Sequence, residues 1–321
     1  MPKMSSELAA PCKRTTLHGP TMGTRWSVSV DADSTVELAA LRHDLAAAVE
    51  QVDAQMSPWK PDSDLMRLNR APLDTWVALP AQLLEVLDCA LDVYRLSAGA
   101  FDPCVGALVN AWGFGAVRDA PDAQAIRAAR SAMPHSTDEH LELDRPASRA
   151  RMRAPLQLDL CGIAKGYAVD RMVAVLQRYG VRHALASLDG ELRAVGSQSS
   201  GAPWAVALEH PKSGQRAVHG VIELEDLAVA TSGDYRRFLQ VGDAHLAHTM
   251  DAQRRAPVNN AVASVTVLAQ TCMQADAWAT ALLVAGPDKG LAMAQRMGLD
   301  VLFLLRRAES LMELGLGRFA R

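Results

Sequence analysis

Between Ala184 and Val229 the chain breaks into short apolar runs, HALASL, ELRAVG, WAVALEH, VHGVIEL and LAVATS, separated by Gly, Pro and Ser. Runs of five to seven residues bounded by turn formers are too short for stable helices. They predict an antiparallel sheet joined by tight turns. Around this stretch the periodicity changes. Ser34–Gln55, Gln82–Leu96, Ala120–Ala132 and Ala164–Tyr179 carry apolar residues at helical spacing, the last stopping at Gly180. Gln274–Val284 and Gly290–Met297 read as two more helices, and Thr24–Asp31, Leu156–Leu160, Ala263–Leu268 and a final Val301–Leu305 as strands. Helices and strands mix without a repeating βαβ period, so the expected class is α+β rather than a doubly wound sheet.

Residues 1–20 read as a loose arm, leaving 21–321 as one domain. Met56–Asn69 reads as a loop feeding a helical turn, and Phe101–Gly115 as a packed loop lining something. Lys and Arg number 33 against 36 Asp and Glu, a net charge of −3. That balance gives no electrostatic case for nucleic acid or for an anionic membrane. No apolar run of about 18 residues occurs, and the first residues lack the apolar core of a signal peptide. The expectation is a cytoplasmic protein without stable membrane contact, or a periplasmic one if a leader has been removed. Five cysteines, at 12, 89, 104, 161 and 272, contain no CxxC pair and read as buried filler in a reducing compartment.

Several clusters could carry chemistry. In Leu158–Asp170 (LDLCGIAKGYAVD) a strand ends, Gly162 and Gly166 bracket a turn, and a helix begins with Lys165 in its first turn. Free amides and a cation at such a place suit a phosphate or pyrophosphate. A tight turn with a solvent-facing lysine is the plainer reading, and the spacing is not that of a Walker A loop. Asp276 and Thr280 stand four apart on an apolar helix and share a face. They read either as oxygen ligands for a hard cation such as Mg²⁺ or as a carboxylate facing its own helix dipole. Thr231–Arg237 (TSGDYRR) followed by His248-Thr249-Met250-Asp251 would make a ligand rim. His248, with an ordinary pKa of about 6.5, serves there as a general base or as a structural residue. Gly99–Pro103 and Trp112–Gly115, with Met22-Gly23-Thr24 and Trp59, would form a pocket for a flat ring, or simply core.

Taken in order, MGTRWSV (22–28), MSPWKPDSDLMRLN (56–69), GAFDPCVGALVNAWGFG (99–115), LDLCGIAKGYAVD (158–170), SLDGELRAVG (187–196), AVATSGDYRRF (228–238), HTMD (248–251) and ADAWATALLVAG (275–286) resemble the FAD:protein FMN transferases, the ApbE family. The resemblance spans residues 20–310. It implies a T-fold-like core and a Mg²⁺-dependent enzyme that splits FAD, attaches FMN to a Thr or Ser hydroxyl of an acceptor protein and releases AMP. It further implies Asp276, Thr280 and the Gly162 carbonyl as metal ligands, and His248 as the base, with Lys165 and Asp276 completing the catalytic set. Met22, Trp59, Ala100, Phe101, Asp102, Asp159, Lys165, Ser232 and Thr249 would contact the flavin nucleotide. An FAD pyrophosphatase and a non-catalytic FAD-binding protein are the alternatives. The chain departs from the family pattern in three places: Trp59 replaces a usual tyrosine, Asp189-Gly190 after Ser187 replaces paired glycines after Asn, and MDAQRRAP follows His248. An added carboxylate at 189 would crowd the phosphates or recruit a second cation.

Overall fold

The computed structural model describes residues 13–32, 35–134, 136–212, 217–236, 238–241, 244–307 and 310–320. The elements run β1 (Lys13–Thr21), β2 (Thr24–Ala32), α1 (Leu38–Met56), α2 (Asp64–Asn69), β3 (Val77–Ala78), α3 (Ala81–Leu96), α4 (Gly106–Ala111) and α5 (Ala123–Ala132). β4 (Leu141–Asp144), β5 (Arg149–Met152), α6 (Ala164–Arg178), β6 (Ala184–Leu188), β7 (Glu191–Val195), β8 (Trp204–Glu209), β9 (Val218–Leu224) and β10 (Ala228–Gly233) follow. The chain closes with β11 (Phe238–Val241), β12 (Ala244–Ala247), β13 (Met250–Asp251), β14 (Ala256–Pro257), β15 (Val262–Ala269), α7 (Cys272–Met297), β16 (Asp300–Arg307) and β17 (Ser310–Leu316).

Eight strands form one antiparallel sheet in the order β1-β2-β6-β7-β10-β15-β16-β17. The two-residue side-chain period sorts its residues between two cores. Val265, Val267, Val301 and Phe303 face the main core beneath α1, α6 and α7, whereas Leu268 joins a second cluster with Trp204 and Leu224 under the β8–β9 ribbon. Both faces of the central strands are therefore covered, and β15 (VASVTVLA) is apolar almost throughout. The architecture is α+β, as expected. Among the described residues no helix is long and apolar enough to cross a membrane.

Four expectations need correction. Lys13–Thr21, read as part of a loose arm, is an edge strand, and residues 1–12, including Cys12, lie outside the described residues. Its Met22-Gly23 turn has φ of 45° and 69°, the positive pair that a two-residue hairpin requires. Basic and hydroxyl residues on one face hid the strand. Leu156–Leu160 is extended but pairs only through a single bridge, Gln157 with Val105. The Asn69 amide takes a neighbouring strand's place, accepting from Leu158 N at 2.8 Å and donating to Leu158 O at 3.0 Å. Phe101–Gly115 contains helix α4 as well as loop, and Val301–Leu305 is followed by a further strand, β17. The first helix starts at Leu38, and Ser34 lies outside the described residues. The two C-terminal helices appear as α7, divided at Gly286, whose φ of 76° precedes Pro287.

The packing that matters for function is α6 on α7. Gly166 sits where a Cβ would lie 2.3 Å from the Cys272 carbonyl oxygen and 2.8 Å from the Asp276 Cβ. The two helices thus meet backbone to backbone. Asp170, one turn further along α6, accepts from Cys272 N at 3.0 Å and Met273 N at 2.9 Å, and so caps α7 from outside. Replacement of Gly166 by Ala should force the helices apart and cost about 2 kcal/mol. Chemical denaturation should show the loss, and an unchanged midpoint would mean that the contact yields freely.

Candidate active site

A cavity of about 1150 Å³ opens between the ends of α6 and α7, the β6–β7 turn, the β8 strand and the loops before α2, α4 and β13. Every residue that the family resemblance implies for the site lines it: Met22 and Trp59, Ala100, Phe101 and Asp102, Asp159, Gly162 and Lys165, Ser232, His248 and Thr249, and Asp276 with Thr280. They come from seven separate stretches of chain.

At the α6–α7 end the oxygens converge. Asp276 is 3% exposed, and its Oδ2 accepts the Gly166 N–H at 2.9 Å. The carboxylate therefore answers the start of a different helix and not its own dipole. Burial pushes its pKa up first, and the neighbouring Glu191 charge adds to this, against Lys165 and the Gly166 amide. One turn on, Thr280 Oγ1 lies 3.1 Å from Ser232 Oγ. A Cβ on Gly162 would stand 3.0 Å from that Thr280 oxygen and 3.3 Å from the Phe101 ring. Glycine at 162 thus lets the turn's backbone approach the Asp276–Thr280 face.

Lys165 is not solvent-facing. Its Nζ lies 2.7 Å from Glu191 Oε1 and 3.5 Å from Asp189 Oδ2. Desolvation would lower its pKa, but Glu191, Asp276 and Asp189 outweigh it and the net shift is upward. Glu191, at the start of β7, is itself buried, and sequence reasoning missed it. An acid opening a short strand directly after the Asp189-Gly190 turn was the signal. Arg236 was quoted only as part of a motif. It reaches Asp189 Oδ1 at 3.1 Å and Glu209 Oε2 at 3.0 Å.

The other end is built from loops. Asp159 Oδ1 caps the turn by accepting from Cys161 N at 2.8 Å, and Cys161 is exposed on the cavity wall rather than buried. Cys104 and Cys272 are buried as expected, and Cys89 is half-buried. Asp102 Oδ1 accepts from Cys104 N and Thr137 Oγ1, both at 2.8 Å, so its carboxylate fixes its own loop. Burial raises its pKa against those two donors. Trp59 is 47% exposed at the rim. His248 meets the Phe114 ring edge-on, with centroids 6.4 Å apart, while Thr249 O accepts from Val258 N at 2.9 Å. Buried Met250, packed with Leu108 and Phe114, anchors this loop.

Among the described residues no three His, Cys, Asp or Glu side chains are grouped to hold a metal. One carboxylate, one hydroxyl and a closely approaching backbone nonetheless fit a hard cation such as Mg²⁺, which takes few protein oxygens and completes its shell with water and phosphate.

A deep cavity with an apolar, aromatic side and a charged end of carboxylates, Lys165 and Arg236 defines a small-molecule binding protein whose ligand has a flat apolar part and a polar part. The chain belongs to the ApbE family, whose pattern it matches over residues 22–303. A relative from Klebsiella pneumoniae named FAD:protein FMN transferase is 34% identical over 303 residues, 92% of this chain and 85% of the relative. The structure of a flavin transferase ApbE from Vibrio cholerae superposes with a TM-score of 0.87 at 34% identity, over 97% of this chain and 100% of that one. The apo form of a Pseudomonas stutzeri flavinyl transferase ApbE gives 0.83 at 33% identity, over 95% and 94%.

The Lys165–Glu191 pair yields a stability prediction. Lys165→Met leaves the Glu191 carboxylate, 4% exposed, without its cation and should cost about 3 kcal/mol. Adding Glu191→Gln should recover most of that loss in the same denaturation experiment. A double variant no more stable than the single one would show that the pair is not the source.

Proposed function

We propose that this FAD:protein FMN transferase works with Mg²⁺, moves the FMN half of FAD onto a Thr or Ser hydroxyl of an acceptor protein, and releases AMP. The observation that carries the reading is the cavity itself, where a buried carboxylate, a hydroxyl and a glycine-opened turn meet beside Lys165 at one end of an aromatic-rimmed cleft.

Asp276, Thr280 and the Gly162 carbonyl would hold the cation. Bound there, Mg²⁺ would offset charge on the diphosphate oxygens and on the departing AMP phosphate. A counter-charge is needed, because among the described residues the cavity lining carries seven carboxylates (Asp53, Asp102, Asp159, Asp189, Glu191, Glu209, Asp276) against three cations (Lys60, Lys165, Arg236). Lys165, held by Glu191, faces the phosphates. Trp59, Met22 and the Ala100–Asp102 loop enclose the flat ring, and a tryptophan stacks as well as a tyrosine would. His248 takes the proton from the acceptor hydroxyl as its oxygen bonds to the FMN phosphorus and the bond to the AMP oxygen breaks. Phosphoryl transfer of this kind depends mainly on positioning and charge, so a rigid helix pair is a suitable platform.

The deciding experiment is a mass spectrum of an acceptor domain carrying a target threonine, incubated with the protein, FAD and Mg²⁺, with and without EDTA. A gain of one FMN less water, abolished by EDTA, is expected. AMP and free FMN with an unmodified acceptor would make water the nucleophile and the protein a pyrophosphatase. FAD bound without AMP release would leave a carrier. In the same assay Asp276→Ala should abolish Mg²⁺-dependent turnover while retaining some FAD binding, and undiminished turnover would remove Asp276 from the metal site. His248→Ala should slow transfer about a hundredfold with little change in FAD affinity. A rise in the dissociation constant alone would make His248 a binding residue.

A further inference from the structure

Asp189 occupies an unusual position in this cavity. It stands in the β6–β7 turn at φ 58°, a left-handed conformation that favours glycine and that Asp or Asn tolerates. The next residue, Gly190, has no atom within 4 Å of where its Cβ would be, so the turn overhangs open space. From there one carboxylate reaches two cations on different elements, with Oδ2 3.5 Å from Lys165 Nζ and Oδ1 3.1 Å from Arg236 Nη1. Each cation already has its own anchor. Lys165 is held by buried Glu191 at 2.7 Å, and Arg236 by Glu209. Neither needs Asp189 in order to stay in place.

Lys165 and Arg236 both line the cavity, and the space between them is where two phosphate oxygens would bridge them. Asp189 fills that bridging role with its own two oxygens. We infer that Asp189 is a built-in competitor for the ligand's diphosphate, holding Lys165 and Arg236 until a phosphate group displaces it. This rests on the reading that the cavity takes FAD. Displacement is mechanically simple: the Asp189 side chain is 39% exposed, sits on a roomy turn and can swing to water. Glu191, at 4% exposure, cannot leave in this way. The consequence is selectivity by charge. A diphosphate accompanied by a divalent cation repays the lost ion pairs, whereas an uncharged flavin gains nothing at this end.

The test is calorimetric binding of FAD, riboflavin and inorganic pyrophosphate, each with Mg²⁺, to the wild-type protein and to Asp189→Asn, which keeps the shape and removes the charge. Asp189→Gly, suited to the same φ, serves if the Asn variant fails to fold. The variant should bind FAD and pyrophosphate about fivefold more tightly, the scale of exposed ion pairs. Riboflavin affinity and thermal stability should stay the same. Unchanged or weaker binding of both phosphate ligands would overturn the competitor role and make Asp189 a contributor to binding. Should the wild type bind no FAD, the functional reading falls separately, and pyrophosphate alone then decides: tighter binding to the variant upholds the competitor role, and equal binding overturns it.

Discussion

The α6–α7 end of the cavity depends on a contact that only a residue without a side chain allows. Helices α6 and α7 touch at Gly166, against the Cys272 carbonyl and the Asp276 Cβ. That approach brings the Gly166 amide within 2.9 Å of the Asp276 carboxylate, which gives a buried acid the donor it needs in order to remain buried. Asp170 ties the same two helices together a turn later through the first amides of α7, and it also accepts from the Arg193 guanidinium of β7 at 2.6 Å. With the crossing fixed at two points, Lys165 on one helix and Asp276 and Thr280 on the other are not free to drift. The sheet beneath, covered on both faces, gives the pair a floor that resists shear.

Charge follows from that geometry. Asp276, Glu191, Asp189 and Glu209 lie along one wall, and among the described cations Lys165 and Arg236 answer them. In a low-dielectric cleft such an excess repels an anion unless cations enter with it. A cleft of this kind discriminates by requiring a counter-charge, while its aromatic and loop-built side selects the shape of what is brought in.

Much of this could be read from the residues. Alternation located β6 through β10 and β15, and helical spacing located α3, α6 and both halves of α7. All the site residues proposed from the sequence line a single cavity. What was hidden is physically consistent. β1 is an edge strand with one solvated face, so its Lys, Arg and Thr residues resemble a loop. The three-stranded β3-β5-β4 sheet is too short and polar to show a period. Leu156–Leu160 has a strand's composition but finds its partner in the Asn69 side chain, which no local pattern encodes. The ion pair of Glu191 with Lys165, and the contacts of Asp170 with Arg193 and the start of α7, join residues 23 or more positions apart.

The two ends of the cavity are made differently, and this bears on how a macromolecular acceptor could be served. At one end Lys165, Asp276 and Thr280 sit on two helices fixed by backbone contact, and Glu191 on a strand, with Asp189 and Arg236 reaching in from turns. The opposite side depends on turns: the Met22-Gly23 hairpin with two positive φ values, the Trp59 loop, and the 248–250 segment pinned by Met250. Loops can adjust to a bulky partner without moving the helices. Trp59, half exposed at the rim, and His248, on the cavity wall against Phe114, both belong to that adjustable side. An acceptor protein approaching over these loops would meet a site whose charge geometry had already been set by α6 and α7, and only the entrance would have to conform to it.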